Sequence, residues 1–202
     1  MANIIDTSYF NGEIEVPNSN QSEIATDLNE SITKYEQEVL IQLLGYPLFK
    51  ELKAVADYGL GDKWDKLVNG EEFSYTLNGV TVTTKWEGLR GFDKKSLIAY
   101  YVYFMHRRKR KSYTAGGGSE VESKHDNSEK VSPYVKLVEV WNEFIVLYGG
   151  ECYQPKEVIQ YTNLLYPIDE FPSAFNYLIA KRADFPTWTF TSKGGKLNIF
   201  GF

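Results

Sequence analysis

The chain has 202 residues, of which 43% are hydrophobic. This length supports one well-buried core with appendages and is short for two domains. The net charge of -5 argues against a general nucleic-acid coat, because such proteins bind phosphates through excess Lys and Arg. Cys152 is the single cysteine and cannot form an internal disulfide, and the sequence has neither a signal-peptide pattern nor an apolar run of about 20 residues. We therefore expect a soluble protein, not bound to a membrane, that is made in a cytosol.

An irregular arm at residues 1–19 precedes a long amphipathic helix. The helix is predicted by apolar residues that recur every three or four positions, namely Ile24, Leu28, Ile32, Tyr35, Val39 and Leu43. Asn20 and Glu23 have the spacing of a capping box at its start. Gly45 ends this helix and Pro47 opens a shorter one, so the pattern predicts two helices that meet at a tight corner.

Residues 62–86 predict a short helix followed by a β-hairpin. Asp62 is expected to cap the helix, which ends at Asn69-Gly70. Residues 72–86 then alternate with a period of two around Asn78-Gly79, the strongest short signal for a hairpin turn. The turn pairs Leu77 with Val80, Tyr75 with Val82 and Phe73 with Thr84 on one face, and Thr76 with Thr81, Ser74 with Thr83 and Glu72 with Lys85 on the other. An isolated hairpin is marginal in water, so it should cover the helices or a neighbouring subunit.

Two longer helices are predicted on either side of a polar loop. The first runs from Asp93 to about Lys111, is about 28 Å long, and turns Leu97, Ile98, Tyr101, Phe104 and Met105 inward. The loop at residues 115–131 is rich in Gly, Ser and charge, and is expected to be disordered or ordered only by a partner. The second helix opens at Ser132-Pro133 and ends at Gly149-Gly150. Its apolar stripe comprises Tyr134, Leu137 or Val138, Trp141, Phe144 or Ile145, and Tyr148.

The last quarter of the chain predicts two short helices and an extended arm. The helices open at Pro155 and Pro172, and residues 187–202 alternate around Gly194-Gly195. The aromatic and apolar residues of this arm are candidates for docking on another surface, namely Trp188, Phe190, Ile199, Phe200 and Phe202. The predicted fold is mainly α, a small helical bundle at residues 20–186 with the β-hairpin insertion at about 72–86 and a C-terminal β-hairpin or extended arm at about 187–202.

The residues that could support catalysis are few. His106 and His125 have no cysteine or carboxylate at metal-ligand spacing, and Cys152 has no histidine or basic neighbour that would lower its pKa. Gly116-Gly117-Gly118 follows a predicted helix and lacks the Lys-Ser/Thr ending of a phosphate-binding loop. We therefore expect no enzymatic activity, no cofactor and no metal site.

Five consecutive cations, Arg107, Arg108, Lys109, Arg110 and Lys111, form a basic cluster at the end of the aromatic helix. Residues 1–57 contain ten acidic residues against three lysines, so the chain has acidic and basic segments that could join copies head to tail. The basic cluster could instead bind DNA phosphates, or be a solvated helix end that suits the helix dipole. The sequence leaves these three interpretations open.

Three passages together resemble the head-to-tail connector, or adaptor, proteins of tailed bacteriophages. They are residues 43–52 (LLGYPLFKEL), residues 86–89 (WEGL) and residues 132–144 (SPYVKLVEVWNEF). The Tyr-rich helix lies between the second and the third. The resemblance covers roughly residues 20–150 and is nearest to ring proteins of crAss-like and related Bacteroidetes phages.

The resemblance implies a structural role in the virion, at the junction of head and tail. Such proteins form a ring, usually of twelve copies, beneath the portal protein, and the ring extends the DNA channel toward the tail. By this resemblance the basic cluster becomes a contact with another subunit, with the portal or with DNA, and the C-terminal arm docks into the portal or an adjacent tail or ring protein. The loop at 115–131 would become ordered on assembly. A DNA-binding accessory protein, or another tail-completion or plug component, is the alternative.

Overall fold

The computed structural model describes residues 3–56, 59, 61–77, 80–109, 112–114, 120–122, 133–149 and 173–189. These residues form a mainly helical structure with a β-hairpin, which confirms the predicted fold class. The helices are α1 (Ser22–Ala56), α2 (Asp62–Asn69), α3 (Leu97–Lys109), α4 (Pro133–Gly149) and α5 (Ala174–Ala180), and the strands are β1 (Glu71–Leu77), β2 (Val80–Trp86), β3 (Ser112–Thr114) and β4 (Glu120–Glu122). The helix predicted after Pro155 and most of the C-terminal arm lie outside the described residues.

Helix α1 contains the predicted corner. It begins at Ser22, two residues after Asn20, and is interrupted at Gly45, whose φ of 73° and ψ of 154° are not helical. The two parts turn one continuous apolar stripe toward the core, with Leu28, Ile32, Val39, Leu43, Leu48 and Leu52 almost fully buried. The position of the corner was therefore predicted correctly.

Helix α3 is the centre of the bundle and is shorter than the sequence predicted. Its 13 residues make it about 20 Å long. The predicted start at Asp93 is wrong, because Asp93 and Lys94 have positive φ values of 49° and 65°. The helix starts instead beyond Ser96, whose hydroxyl accepts a hydrogen bond from the Ile98 N–H at 3.1 Å.

The predicted inward face of α3 is only part of its buried surface. Leu97, Ile98 and Tyr101 are buried and Phe104 and Met105 are half-buried, as expected. In addition, Ala99, Tyr100, Val102, Tyr103 and His106 are buried. Helices α1 and α4 and the 3-10 turn Gly12–Ile14 all pack on α3. From Leu97 to Tyr103 the helix is therefore enclosed on all sides instead of having one wet face.

Strands β1 and β2 form the predicted hairpin with the predicted register. All six predicted pairs are present, and Glu71 opposite Trp86 adds a seventh. At the base, the Trp86 ring stacks on Tyr177 of α5 with centroids 5.1 Å apart, and Phe73 meets Tyr177 edge to face at 5.4 Å. The Trp86 Nε1–H donates to the Leu67 carbonyl oxygen at 3.0 Å. The base of the hairpin thus lies on α2 and α5.

Two local expectations need correction. Asp62 is the first residue of α2, the N-cap is Gly61, and no side chain caps this helix. Lys66, one turn later, instead donates to the Asp62 carboxylate at 2.9 Å. Residues 115–131 were expected to be loop, yet Glu120–Glu122 pairs with Ser112–Thr114 as an antiparallel ladder. Each of these strands has three residues, too short for the alternation of side chains to be recognised.

The chain closes over the α1 corner after α5. Helix α5 is capped by the Ser173 hydroxyl, which accepts from the Asn176 N–H at 3.3 Å, and it buries Phe175 and Leu178. Trp188 then packs against Phe175 and donates its Nε1–H to the Leu43 carbonyl oxygen at 2.8 Å. Thr189 lies directly against Gly45. Phe185 and Trp188, near the end of the described residues, are therefore part of the core.

Replacing Gly45 by alanine is expected to lower the free energy of unfolding by about 3 kcal/mol or more. An added Cβ would collide with the Thr189 Oγ1, would lie 2.9 Å from the Thr189 carbonyl oxygen, and would sit on a residue with φ of +73°. Gly12→Ala is the matched control. Gly12 also has positive φ, at +55°, but a Cβ there meets nothing within 4 Å, so only the conformational cost of about 1–2 kcal/mol applies. If urea unfolding showed that both variants lose the same free energy of unfolding, this account of the corner would be contradicted.

Candidate interaction surfaces

The basic cluster lies at the C-terminal end of α3. Arg107 is half-buried, and Arg108 and Lys109 are exposed. Arg110 and Lys111 lie outside the described residues. Cations at this position are favoured by the negative end of the helix dipole. Arg108 and Lys109 are therefore available to solvent where the enclosed helix leaves the core.

The acidic start of α1 lies beside the basic cluster in the same chain. The Lys109 Nζ is 3.8 Å from the Asp27 Oδ1. One turn earlier, the fully buried His106 shares a hydrogen bond of 2.9 Å between its Nδ1 and the Ser31 Oγ. The expectation of separate acidic and basic poles is wrong at this point, because α1 and α3 pack antiparallel and bring the two charged segments together.

An open groove of about 350 Å³ runs along this part of α1. Its lining includes the acidic residues Glu23, Asp27 and Glu30 together with Ser22 and Thr26. Lys109 thus stands next to the Asp27 carboxylate, and the surface carries both signs of charge. Such a surface attracts a partner with its own mixed charges more strongly than it attracts a uniformly negative one.

Of the five candidate docking residues near the C-terminus, the structure describes only Trp188. Trp188 is only 2% exposed and is held by its own chain, so it is not available for docking in this conformation. Phe190, Ile199, Phe200 and Phe202 lie outside the described residues. The sequence could not separate Trp188 from these four, because the alternating pattern runs through all of them.

Residues 3–16, which we call the N-terminal strap, form a surface that the sequence analysis missed. The strap contains two 3-10 turns, Thr7–Tyr9 and Gly12–Ile14, and otherwise irregular backbone. It nevertheless buries five apolar side chains, those of Ile4, Ile5, Phe10, Ile14 and Val16. It is thus an irregular segment that packs as part of the core.

A buried carboxylate and an arginine clamp the strap to the bundle. Glu36 of α1 is 3% exposed, and its two oxygens accept hydrogen bonds from the N–H groups of Ile4, at 2.9 and 3.0 Å, and Ile5, at 3.1 Å. The Arg90 Nε donates to the Ile4 carbonyl oxygen at 3.1 Å, and the Arg90 Nη1 donates to the Asn69 Oδ1 at 2.8 Å. The clamp therefore recognises backbone atoms of the strap.

Burial controls the charge of Glu36. It raises the pKa of this carboxyl from its ordinary value of 4.5 to about 7, although the Ile4 and Ile5 N–H groups and the Arg90 charge lower it. One sequence signal could have revealed the site. Glu36 lies four residues after Ile32 and three before Val39, on the apolar stripe of α1, where an acid needs a partner.

Phe92 is exposed on a loop with unusual backbone geometry. It is 66% exposed, and its neighbours Gly91, Asp93 and Lys94 all have positive φ. The Glu87 Oε2 accepts from the Phe92 N–H at 3.1 Å, and the Lys85 Nζ lies 5.2 Å from the centre of the Phe92 ring. This loop presents a large aromatic side chain to solvent at the start of α3.

Buried tyrosines act as hydrogen-bond donors. The Tyr101 hydroxyl donates to the Glu38 Oε1 at 2.6 Å, and the Tyr177 hydroxyl donates to the Glu71 Oε1 at 2.9 Å. Burial raises the pKa of both hydroxyls, and the neighbouring carboxylates raise it further. Both groups therefore remain protonated at neutral pH and join elements of the fold.

Among the described residues, no group of three or more His, Cys, Asp or Glu is placed to hold a metal ion. No helix in the described ranges combines the length and the apolar character needed to span a bilayer.

No family model, no curated protein and no solved structure matches this chain. The three passages that resemble connector proteins can still be placed in the fold. Residues 43–52 surround the Gly45 corner, residues 86–89 follow the hairpin, and residues 133–144 form most of α4. They are mostly positions where elements pack or turn.

Glu36→Gln is expected to change how stability depends on pH. The folded state binds the Glu36 proton more tightly than the unfolded state, so the free energy of unfolding falls as pH rises from about 4.5 to about 7, by up to about 3 kcal/mol. Glutamine does not titrate, so this decline should disappear from urea unfolding curves measured across that range. Glu30→Gln, on the exposed side of the same helix, is the control and should retain it. The same pH dependence in both variants would show that Glu36 does not titrate in this range.

Proposed function

We propose that this chain is a head-to-tail connector protein of a tailed bacteriophage. Its copies form a ring that joins the portal to the tail and extends the DNA channel through which the genome leaves. The proposal starts from the resemblance of the three passages to connector proteins. The helical bundle that this resemblance implies agrees with the helical bundle of the described residues.

The β1–β2 hairpin is the observation that carries the proposal. Among the described residues, β1 and β2 pair only with each other, which leaves the outer edge of each seven-residue strand open. The base is buried through Phe73, Thr84 and Trp86, whereas Ser74 and Thr83 are exposed on the other face. Open edges invite pairing with another chain, and a two-stranded sheet is marginal alone. A lateral contact with a neighbouring copy would pair an open edge of the hairpin, in addition to the support that its base has from α2 and α5.

The charges at the end of α3 favour a protein partner over DNA. A DNA-binding accessory protein is the alternative function, and it would use Arg108 and Lys109 on phosphates. Asp27, Glu23 and Glu30 line the adjacent groove and would repel the same phosphates. A subunit or portal surface of mixed charge would pair with both signs.

Mixing the purified protein with the portal of the same phage is expected to give a stoichiometric ring beneath the portal vertex. Electron microscopy of the mixture is the measurement. A monomer in the absence of portal agrees with the proposal, since the portal can act as the template for the ring. If no ring forms on the portal, and the monomer binds DNA in a salt-sensitive way, the accessory-protein function is supported instead.

Arg108→Glu is expected to weaken assembly on the portal by about tenfold or more, because it replaces an exposed cation of the basic cluster by an anion at the proposed contact. Lys53→Glu is the matched control, since it makes the same charge change at an exposed position in the second part of α1. Assembly and DNA binding should be measured side by side for both variants. If the Arg108 variant assembled as well as the unmodified chain, the basic cluster would not be part of the subunit or portal contacts.

A further inference from the structure

We propose that the N-terminal strap is exchanged between copies, so that in the assembled protein each strap docks on the Glu36 and Arg90 clamp of a neighbouring copy. The exchange rests on the proposed connector function in one respect, because the exchange and the connector ring both require copies of the chain to associate. It adds the identity of a contact, a segment of this chain bound to a second copy of the same chain.

The contacts that hold the strap are all with residues far along the chain. Asn3 bonds Thr33, Ile4 and Ile5 bond Glu36, and the Arg90 Nε and Lys94 Nζ bond the carbonyl oxygens of Ile4 and Ser8. The other backbone bonds of residues 3–15, such as Tyr9 N–H to Asp6 oxygen at 3.2 Å, lie within the strap and move with it, and the Val16 carbonyl oxygen bonds only the link that follows. The strap of a second copy can therefore make every one of these contacts, which is the condition for exchange.

The link between the strap and α1 is a short turn that can open. Within residues 17–21, the Ser19 N–H donates to the Val16 carbonyl oxygen at 3.3 Å, and the Gln21 N–H donates to the Asn18 carbonyl oxygen at 2.9 Å. Asn18 is exposed and has φ of +60°, the left-handed conformation that reverses the chain. Once extended, five residues span up to about 17 Å, and that is the reach the link gives the strap toward an adjacent copy.

The surface beneath the strap cannot remain uncovered. The five apolar side chains of the strap are at most 7% exposed, and Glu36 would lose its two N–H donors if the strap left. Because an empty site would expose this apolar surface and leave the carboxylate without those donors, it must be refilled by a segment of the same shape and backbone chemistry. A second strap meets that requirement without any change of sequence.

Two single-cysteine variants test the exchange directly. Cys152→Ser removes the native thiol, and Asn3→Cys and Thr33→Cys are then made separately in that background. The Asn3 Nδ2 and Thr33 Oγ1 lie 3.2 Å apart, and both residues are exposed. The two variants are mixed in equal amounts, assembled on the portal, and treated with a short bis-maleimide. One chain then carries only the strap thiol and the other only the thiol on α1, so docking in cis cannot join them.

The expected product is a covalent dimer of twice the 23.2 kDa chain on a denaturing gel. A chain with both substitutions, kept dilute and monomeric, is the control and should be linked only within itself. A ring on the portal without covalent dimers would overturn the exchange and leave the connector function standing. Covalent dimers in solution without a ring on the portal would support the exchange and overturn the connector function. A chain that never associates would overturn both.

Substitutions at Asn18 give a second, independent measurement. Asn18→Pro fixes φ near −65°, which the closed turn cannot accept, so the fraction of associated chains at a given concentration should rise about fivefold. Asn18→Gly is the matched control, because glycine adopts positive φ without strain and preserves the turn. The fraction of associated chains is measured by sedimentation for both variants. Equal association would show that the turn does not govern exchange.

Discussion

The enclosure of α3 is the constraint on which the rest of the structure depends. A helix without a wet side must be covered by other elements, and α1, α4 and the strap supply that cover. Its fully exposed residues are in its last turn, so that turn is where charged side chains can be placed without a large desolvation cost. The position of Arg108 and Lys109 is thus a consequence of the packing, whichever partner uses them.

Polar groups buried by this packing are used to join distant parts of the chain. Glu36 holds the strap, Tyr177 connects α5 to β1, and the Trp86 and Trp188 indoles bond carbonyl oxygens of α2 and α1. Each bond satisfies a group that would otherwise be costly to bury. The aromatic side chains therefore supply apolar area together with hydrogen bonds that fix how the elements are placed. The strap belongs to this system, although it has almost no regular structure.

The sequence predicted those features that local patterns determine. The Gly45 corner, the register around Asn78-Gly79 and the bounds of α4 each follow from a turn residue next to a clear periodicity. Features set by distant contacts were not predictable. The start of α3 depends on positive φ at Asp93 and Lys94, two residues that usually continue a helix without strain. The strap clamp depends on backbone atoms 31 or more residues from Glu36, and the meeting of Asp27 with Lys109 depends on the antiparallel packing of α1 and α3.

The bond between the Trp188 indole and the Leu43 carbonyl oxygen spans 145 residues of chain. During translation, the corner at Gly45 emerges from the ribosome long before the segment that covers it has been made. At about 5–20 residues per second, that interval lasts roughly 7–30 s. Throughout it, the Leu43 and Leu48 side of the corner lacks its final cover, and the nascent chain can reach its native packing there only after Trp188 has been made.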